Sequence, residues 1–145
     1  MLLKILLTGS FGNVGLSTLE ELIRKNYSIR VLDIYNKKNR RIASKYKDQI
    51  DIIWGDLRNP KDVEKAVEGQ HVVIHTAAII PPLADKKPKF AESVNVGGTK
   101  NIINAMKSQP QKPKITKIIP FSKKTSFLFF RFRQILKYYI RYRDF

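Results

Sequence analysis

The chain has 145 residues, enough for one domain with one buried core and too few for two domains of ordinary size. It contains no cysteine, which excludes disulfides, thiolate metal sites and a cysteine nucleophile, and its two histidines argue against a histidine-rich metal site. Residues 1–111 carry 18 Lys and Arg against 11 Asp and Glu, whereas residues 112–145 carry 10 against 1. The formal net charge of +16 is therefore concentrated near the carboxyl terminus, and the chain changes character near residue 112.

The amino-terminal apolar run, residues 2–7, is too short for a signal peptide, contains Lys4 and lacks a small-residue cleavage site. No stretch reaches the roughly 18 uninterrupted apolar residues of a membrane-spanning helix. We therefore expect a soluble, cytoplasmic protein without a membrane span.

Apolar runs and helical spacings alternate along the chain. Apolar runs predict strands at 2–7, 29–34, 50–54, 71–76 and 114–119. Apolar residues at helical spacing predict helices at 14–25, from Pro60 to Gly69 with Asn59 as cap, and at 90–107, with a short exposed helix within 36–48 and a loop at 79–89. This alternation is typical of right-handed βαβ units, so we expect an α/β fold with helices on both faces of a parallel sheet.

The first predicted strand runs into a glycine-rich turn, Thr8-Gly9-Ser10-Phe11-Gly12-Asn13-Val14-Gly15, which opens the first helix. Gly9 accommodates a tight turn, Gly12 lets the backbone approach a pyrophosphate, and Gly15 lets the helix pack closely on the sheet. The N–H groups and dipole of that helix would face a diphosphate. An ordinary glycine-rich turn is the alternative, but this context predicts a dinucleotide site and a Rossmann-type doubly wound sheet, truncated after about the fifth strand.

The second predicted strand contains an aspartate, Asp33, that lies 18 residues after Gly15. This offset suits a carboxylate that accepts hydrogen bonds from the adenosine ribose and repels a 2′-phosphate, so NAD is the favoured cofactor. Four basic residues follow: Lys37, Lys38, Arg40 and Arg41. These residues either form a solvent-exposed face or include a group that could neutralise a 2′-phosphate. The second interpretation keeps NADP as an alternative cofactor.

Further motifs follow in order: Asp56-Leu57, His75-Thr76-Ala77-Ala78 and Asn95-Val96-Gly97-Gly98-Thr99. Together with the Gly-x-x-Gly-x-x-Gly turn, they resemble the extended short-chain dehydrogenase/reductases, which include the NAD-dependent epimerase/dehydratase group and 3β-hydroxysteroid-dehydrogenase-like relatives. The resemblance covers residues 1–106. It implies that Asp56 and Leu57 contact the adenine, that the backbone of Thr76, Ala77 and Ala78 passes along the cofactor, and that Asn95 braces the cofactor-side loops.

Physical arguments from the residues agree with this assignment. Asp56 and Ala77-Ala78 follow predicted strands three and four, at the sheet edge where ligands bind. Two adjacent glycines in a helix cost roughly 1 kcal/mol each relative to alanine, so Gly97-Gly98 predicts a close approach of backbone to backbone. His75 ends an apolar strand, and we interpret it as a packed core histidine rather than as an acid or base.

The catalytic pattern of the resembling family is missing. Its chemistry uses a Ser or Thr and a Tyr-x-x-x-Lys pair beyond the fifth strand. None of the six tyrosines here has a lysine four residues later, so we assign no catalytic residue. Ser122 could stand in for the serine, although Pro120 would remove a hydrogen bond from a central strand.

We divide the sequence into an incomplete nucleotide-binding domain at 1–122 and a basic aromatic tail at 123–145. The tail shows no family resemblance. Three interpretations remain open. The tail is the out-of-frame or truncated end of a longer reading frame, a basic aromatic helix for a membrane surface, a partner or nucleic acid, or a cover for the sheet edge. An uncovered fifth strand would favour a homo-oligomer or a partner chain.

The leading hypothesis is the dinucleotide-binding part of an epimerase/dehydratase-type oxidoreductase for a nucleotide-sugar or sterol-like substrate, catalytically incomplete, with no nucleic-acid partner expected. Its alternatives are a non-enzymatic dinucleotide-sensing or interaction module that uses the basic tail, and an enzyme completed by another chain.

Overall fold

The computed structural model describes residues 2–111 and 113–117. The strands are β1 (Lys4–Thr8), β2 (Ser28–Asp33), β3 (Asp51–Trp54), β4 (Val72–His75) and β5 (Lys114–Lys117). The helices are α1 (Asn13–Arg24), α2 (Lys37–Ala43), α3 (Pro60–Val67), α4 (Leu83–Lys86), α5 (Pro88–Glu92) and α6 (Thr99–Ser108). A π-helical segment, Ser93–Gly98, joins α5 to α6.

The five strands form one parallel sheet in the order β3-β2-β1-β4-β5. Helices cover both of its faces, because successive side chains of a strand point to opposite sides. Leu6 of β1 belongs to the core under α3 and α6, whereas Ile5 and Leu7 belong to the core under α1 and α2. The predicted Rossmann-type doubly wound sheet is confirmed.

The direction of winding reverses between β1, the central strand of the sheet, and its neighbour β4. Thr8, at the carboxyl end of β1, pairs with both Leu32 of β2 and His75 of β4. The turns that follow these three strands therefore leave the sheet at the same level. In open parallel sheets such a reversal point forms a crevice in which ligands bind.

The predicted start of α3 is confirmed in detail. The side chain of Asn59 accepts a hydrogen bond from the backbone N–H of Lys61 at 3.2 Å, with Pro60 in the first turn of α3. The exposed helix expected within 36–48 is α2, and the side chain of Asn36 caps it by accepting from the backbone N–H of Asn39 at 2.8 Å. Side-chain caps of this type satisfy N–H groups that have no partner within a helix.

Two predictions for residues 79–107 need correction. The expected loop at 79–89 contains α4 and the first residues of α5. The expected single helix is interrupted by the π-helical segment, which includes both glycines, and glycine weakens regular helical geometry. The predicted close approach of two backbones at Gly97-Gly98 is also wrong. A methyl group on Gly98 would lie 2.8 Å from Cβ of Leu57, so Gly98 makes room for the side chain of Leu57, whereas a methyl group on Gly97 would meet no neighbour within 4 Å.

Several predictions fall outside the described residues. These concern strand residues 118–119, Pro120, Ser122 and the tail at 123–145. Within residues 2–111 and 113–117, no helix combines the length and the apolar character needed to cross a membrane.

Candidate functional site

A cleft of about 440 Å³ lies at the carboxyl ends of the parallel strands. Its walls come from the turns after β1, β2, β3 and β4 and from α5 with the π-helical segment. Of the predicted site residues, the cleft brings together Gly9, Phe11, Gly12, Asp33, Asp56, Leu57, Thr76, Ala77 and Ala78. The remaining ones, Ser10, Asn13, Val14, Gly15 and Asn95, do not line the cleft.

The glycine turn packs against the segment that follows β4. Gly9 has a φ of +69°, and a methyl group there would lie 2.6 Å from the backbone N and Cα of Ala77. Both observations require glycine at this tight turn. A methyl group on Gly15 would overlap the carbonyl oxygen of Gly9, so the close packing of Gly15 is against the turn rather than the strands. A methyl group on Gly12 would meet only ordinary contact, at 3.5 Å from that same oxygen.

The N terminus of α1 has no side-chain cap and no acidic residue in its first turn. Gly12 is the capping residue, and Asn13, Val14 and Gly15 carry first-turn N–H groups that the helix itself does not use. The hydroxyl of Ser10 is buried and donates inward to the carbonyl oxygen of Leu7 at 2.9 Å. The Ser10 side chain therefore supports the turn from within and does not line the cleft.

Asp33 is held in place by donors from three sides. Its Oδ2 accepts from the backbone N–H of Phe11 at 2.9 Å, and its Oδ1 accepts from the backbone N–H of Ile34 at 2.8 Å and from Nδ2 of Asn39 at 3.2 Å. Burial raises the pKa of the Asp33 carboxyl, and the hydrogen bonds from Phe11 and Ile34 oppose that rise. The carboxylate thus faces the cleft in a fixed orientation.

On the opposite wall, Asp56 is paired with Arg58. Nε of Arg58 lies 2.9 Å and 3.0 Å from the two carboxylate oxygens, and Nη2 lies 2.5 Å from Oδ2. Hydrogen bonds from this guanidinium lower the pKa of the Asp56 carboxyl. The guanidinium also lies 5.1 Å from the ring centre of Phe90 in α5, within the range of a cation–π contact. Leu57 is buried and belongs to the core below.

The segment after β4 is fixed by two polar side chains. The hydroxyl of Thr76 donates to the carbonyl oxygen of Thr8 at 2.7 Å. The side chain of Asn95 accepts from the backbone N–H of Ile79 at 2.8 Å and donates to its carbonyl oxygen at 2.9 Å. Asn95 therefore holds the backbone of the cleft wall, while His75 is buried in the core as expected.

The sequence did not indicate Arg58, Phe90 or Asn39 as site residues, yet all three line the cleft, as does Lys38, one of the four basic residues considered for a 2′-phosphate. Arg58 follows Asp56-Leu57 directly, and that proximity was the available signal. Phe90 was read only as part of an apolar helix face. Nothing local indicates that Asn39 reaches back to Asp33. No group of three potential metal ligands from His, Cys, Asp or Glu occurs among the described residues.

Comparisons with known proteins agree with this geometry. The chain matches the model of the 3-beta hydroxysteroid dehydrogenase/isomerase family over residues 6–122. It is 32% identical to mouse (Mus musculus) 3 beta-hydroxysteroid dehydrogenase type 7 over 71% of this chain and 29% of that protein. It is 34% identical to UDP-glucose 4-epimerase of Rickettsia rickettsii over 79% of this chain and 34% of that protein. The chain thus spans about a third of the length of these relatives.

Solved structures show the same architecture. Pen from Bacillus thuringiensis superposes with a TM-score of 0.72 at 27% identity, over 79% of this chain and 36% of that one. UDP-glucose 4-epimerase from Thermus thermophilus, solved in complex with NAD, gives 0.63 at 26% identity, over 71% and 33%. The family match covers most of the chain and includes the glycine turn and both cleft walls. The chain therefore belongs to the 3-beta hydroxysteroid dehydrogenase/isomerase family.

Proposed function

We propose that this chain binds NAD(H) in the cleft at the carboxyl ends of β1, β2, β3 and β4. One observation carries the proposal: α1 begins without a side-chain cap at Gly12, which lines the cleft together with a half-buried carboxylate, Asp33. An uncapped helix N terminus attracts anions, and a fixed carboxylate accepts hydrogen bonds from hydroxyls. A dinucleotide presents both groups, a diphosphate and a ribose, at neighbouring positions.

The diphosphate would lie across Gly12 and the first turn of α1. No side chain at Gly12 covers the N–H groups of Asn13, Val14 and Gly15, and no acidic residue in that turn repels an anion. The half-positive charge of the helix end adds to the attraction.

The adenosine ribose would lie against Asp33. This carboxylate already accepts three hydrogen bonds from N–H groups, and two ionised oxygens offer about four acceptor positions in all. The remaining capacity suits a ribose hydroxyl, whereas a 2′-phosphate would be repelled. Lys38 also lines the cleft and keeps NADP as the alternative cofactor. The NAD complex of the Thermus thermophilus relative supports NAD.

The adenine would lie between the Asp33 wall and the Arg58–Phe90 wall. Both walls combine polar groups with apolar surface, which is what a planar base with donor and acceptor edges requires. Asp56 and Leu57 are the residues that the family resemblance assigns to this position.

Binding without turnover is the activity we propose for these 145 residues. Hydride transfer to or from a nucleotide-sugar or sterol-like substrate is the reaction class of the family, and the cofactor supplies that chemistry when bound. No Tyr-x-x-x-Lys pair occurs in the sequence to provide acid/base assistance.

Calorimetric titration of the chain with NADH and with NADPH tests the proposal. We expect NADH to bind more tightly than NADPH. The Gly12→Val variant, whose side chain would enter the diphosphate position, should lose about a hundredfold in NADH affinity, because two charge-assisted hydrogen bonds are displaced.

Gly97→Val is the matched control, since a methyl group on Gly97 would meet nothing within 4 Å. It should bind NADH like the wild type. A folded wild-type chain that binds neither cofactor would contradict the proposed function, and measurable oxidoreductase turnover would contradict the catalytic part of it.

A further inference from the structure

One buried histidine lies behind the cleft and makes contacts through both ring nitrogens. His75 ends β4 and is 2% exposed. Its Nδ1 lies 2.6 Å from Oγ1 of Thr8, at the end of β1, and its Nε2 lies 3.2 Å from Oγ1 of Thr99, at the start of α6. A polar ring is costly to bury unless its nitrogens are hydrogen-bonded, so these contacts give it a defined place in the core.

The direction of these hydrogen bonds follows from the last acceptor. Oγ1 of Thr99 lies 2.6 Å from the carbonyl oxygen of Asn95. A carbonyl oxygen can only accept, so the single hydroxyl proton of Thr99 points to Asn95, and Oγ1 accepts from Nε2–H of His75. A neutral imidazole protonated at Nε2 has an unprotonated Nδ1, which accepts the hydroxyl proton of Thr8.

We propose that His75 is a positioning residue, held as the neutral Nε2–H tautomer, that fixes the glycine turn relative to the segment carrying Asn95. The hydrogen-bond chain runs in one direction, from Thr8 through His75 and Thr99 to the carbonyl oxygen of Asn95. It joins β1, β4 and the end of the π-helical segment, three elements that are far apart in the sequence.

Both ends of this chain reach a wall of the cleft. Thr8 immediately precedes Gly9, whose turn lies against Ala77. Asn95 binds the backbone N–H and carbonyl of Ile79, which lines the cleft two residues after Ala77 in the segment that follows β4. Breaking this chain of hydrogen bonds should therefore weaken the contacts of Asn95 that hold the backbone of Ile79. The consequence for NADH affinity rests on the proposed function, whereas the tautomer and the ordering of Ile79 are properties of the unliganded protein.

The tautomer can be measured directly by long-range ¹H–¹⁵N correlation spectroscopy of the imidazole nitrogens at neutral pH. The His71→Gln variant leaves His75 as the single histidine, because the chain contains two. We expect a protonated Nε2 and an unprotonated Nδ1. A protonated Nδ1, in either the neutral or the charged ring, would overturn the assignment.

The positioning role is tested with Thr99→Val and Thr99→Ser in the full chain. Valine keeps the shape of threonine and removes the hydroxyl, whereas serine keeps the hydroxyl. We expect amide hydrogen exchange at Ile79 to become about tenfold faster in Thr99→Val and to stay within about twofold of the wild type in Thr99→Ser, as the loss of one buried hydrogen bond implies.

NADH affinity should fall severalfold in Thr99→Val and recover in Thr99→Ser. Unchanged exchange at Ile79 in Thr99→Val, with the fold intact by circular dichroism, would refute the positioning role. If the wild type fails to bind NADH, the proposed function fails, and the tautomer and exchange measurements still decide the role of His75.

Discussion

The helix termini at the two ends of the sheet differ in whether a side chain satisfies their free backbone polar groups. At the amino end, Arg30 pairs with Asp51 at 2.6 Å and donates to the carbonyl oxygens of Lys65, Ala66 and Glu68 at 3.3, 3.4 and 2.9 Å. At the carboxyl end, α1 begins without a side-chain cap at Gly12, which lines the cleft. One helix terminus is satisfied by the protein, and the other is left for a ligand.

Because of this difference, contacts at the amino end of the strands contribute to stability, whereas those at the carboxyl end are available for ligand binding. Where the Arg30 guanidinium already donates to carbonyl oxygens at the end of α3, the contacts stabilise the fold. Where N–H groups stay uncovered, the fold gives up the contribution of a cap, about 1 kcal/mol, and keeps an anion site. Substitutions at the two ends should therefore affect different measurements.

The largest expected effect comes from two glycines with the same backbone conformation. Gly9 has a φ of +69° at the carboxyl end, and Gly69 has a φ of +70° in the turn before β4 at the amino end. Gly9→Ala should lower the free energy of unfolding by about 3–5 kcal/mol, because the left-handed conformation costs about 1–2 kcal/mol and the new methyl group overlaps the backbone of Ala77.

Gly69→Ala should cost only the conformational part, about 1–2 kcal/mol, since a methyl group there meets nothing within 4 Å. Urea denaturation of both variants gives the comparison. Equal losses of stability would mean that contact with Ala77 contributes nothing at Gly9.

A smaller effect is expected from Arg30→Met, which keeps an apolar stem and removes the hydrogen bonds to α3. The free energy of unfolding should fall by about 1–2 kcal/mol, because the guanidinium contacts to the helix carbonyls are lost. NADH affinity should not change.

Arg24→Met is its control, because Arg24 is mostly exposed and, among residues 2–111 and 113–117, pairs only with Glu21 on the same helix. Its effect should stay below about 0.5 kcal/mol. A loss of NADH affinity in Arg30→Met would show that the two ends of the sheet are coupled.

The pH dependence of NADH binding should follow Asp33. Burial raises the pKa of this carboxyl above its ordinary value of 3.8, so on acidification it takes up a proton earlier than an exposed aspartate. Between 3.8 and the raised pKa the folded chain binds more protons than the unfolded chain, so this group's contribution to stability decreases as pH rises through that window. NADH affinity should be constant above the folded pKa and fall below it, as measured by calorimetry from neutral to acidic pH.

Asp56 should show the opposite sign, with the smallest effect. Its pKa is lowered by Arg58, so its contribution to stability is present above the unfolded value of 3.8 and is lost as pH falls through the folded pKa. Carbon-13 titration of the carboxyl groups should place Asp56 below Asp33. In Arg58→Gln the pKa of Asp56 should rise, whereas that of Asp33 should not move. Arg58 is exposed enough that only a slight change in stability is expected.

The sequence by itself determined the doubly wound sheet and the glycine turn. Both depend on short-range regularities: apolar runs, helical spacing, the residues that begin helices, and glycines at fixed offsets. Asp33 was found for the same reason, because a parallel strand of known length brings its last residue to the ligand-binding edge.

Only the tertiary structure decided which polar groups meet across that framework. Arg58 over Phe90, Asn39 on Asp33, Arg30 on the end of α3 and the chain through His75 each depend on how distant elements pack. The π-helical segment was not predicted because the packing of Gly98 on Leu57 and the contacts of Asn95 with Ile79 join residues far apart in the sequence. Local pattern encodes local geometry, whereas these contacts depend on the three-dimensional positions of several elements at once.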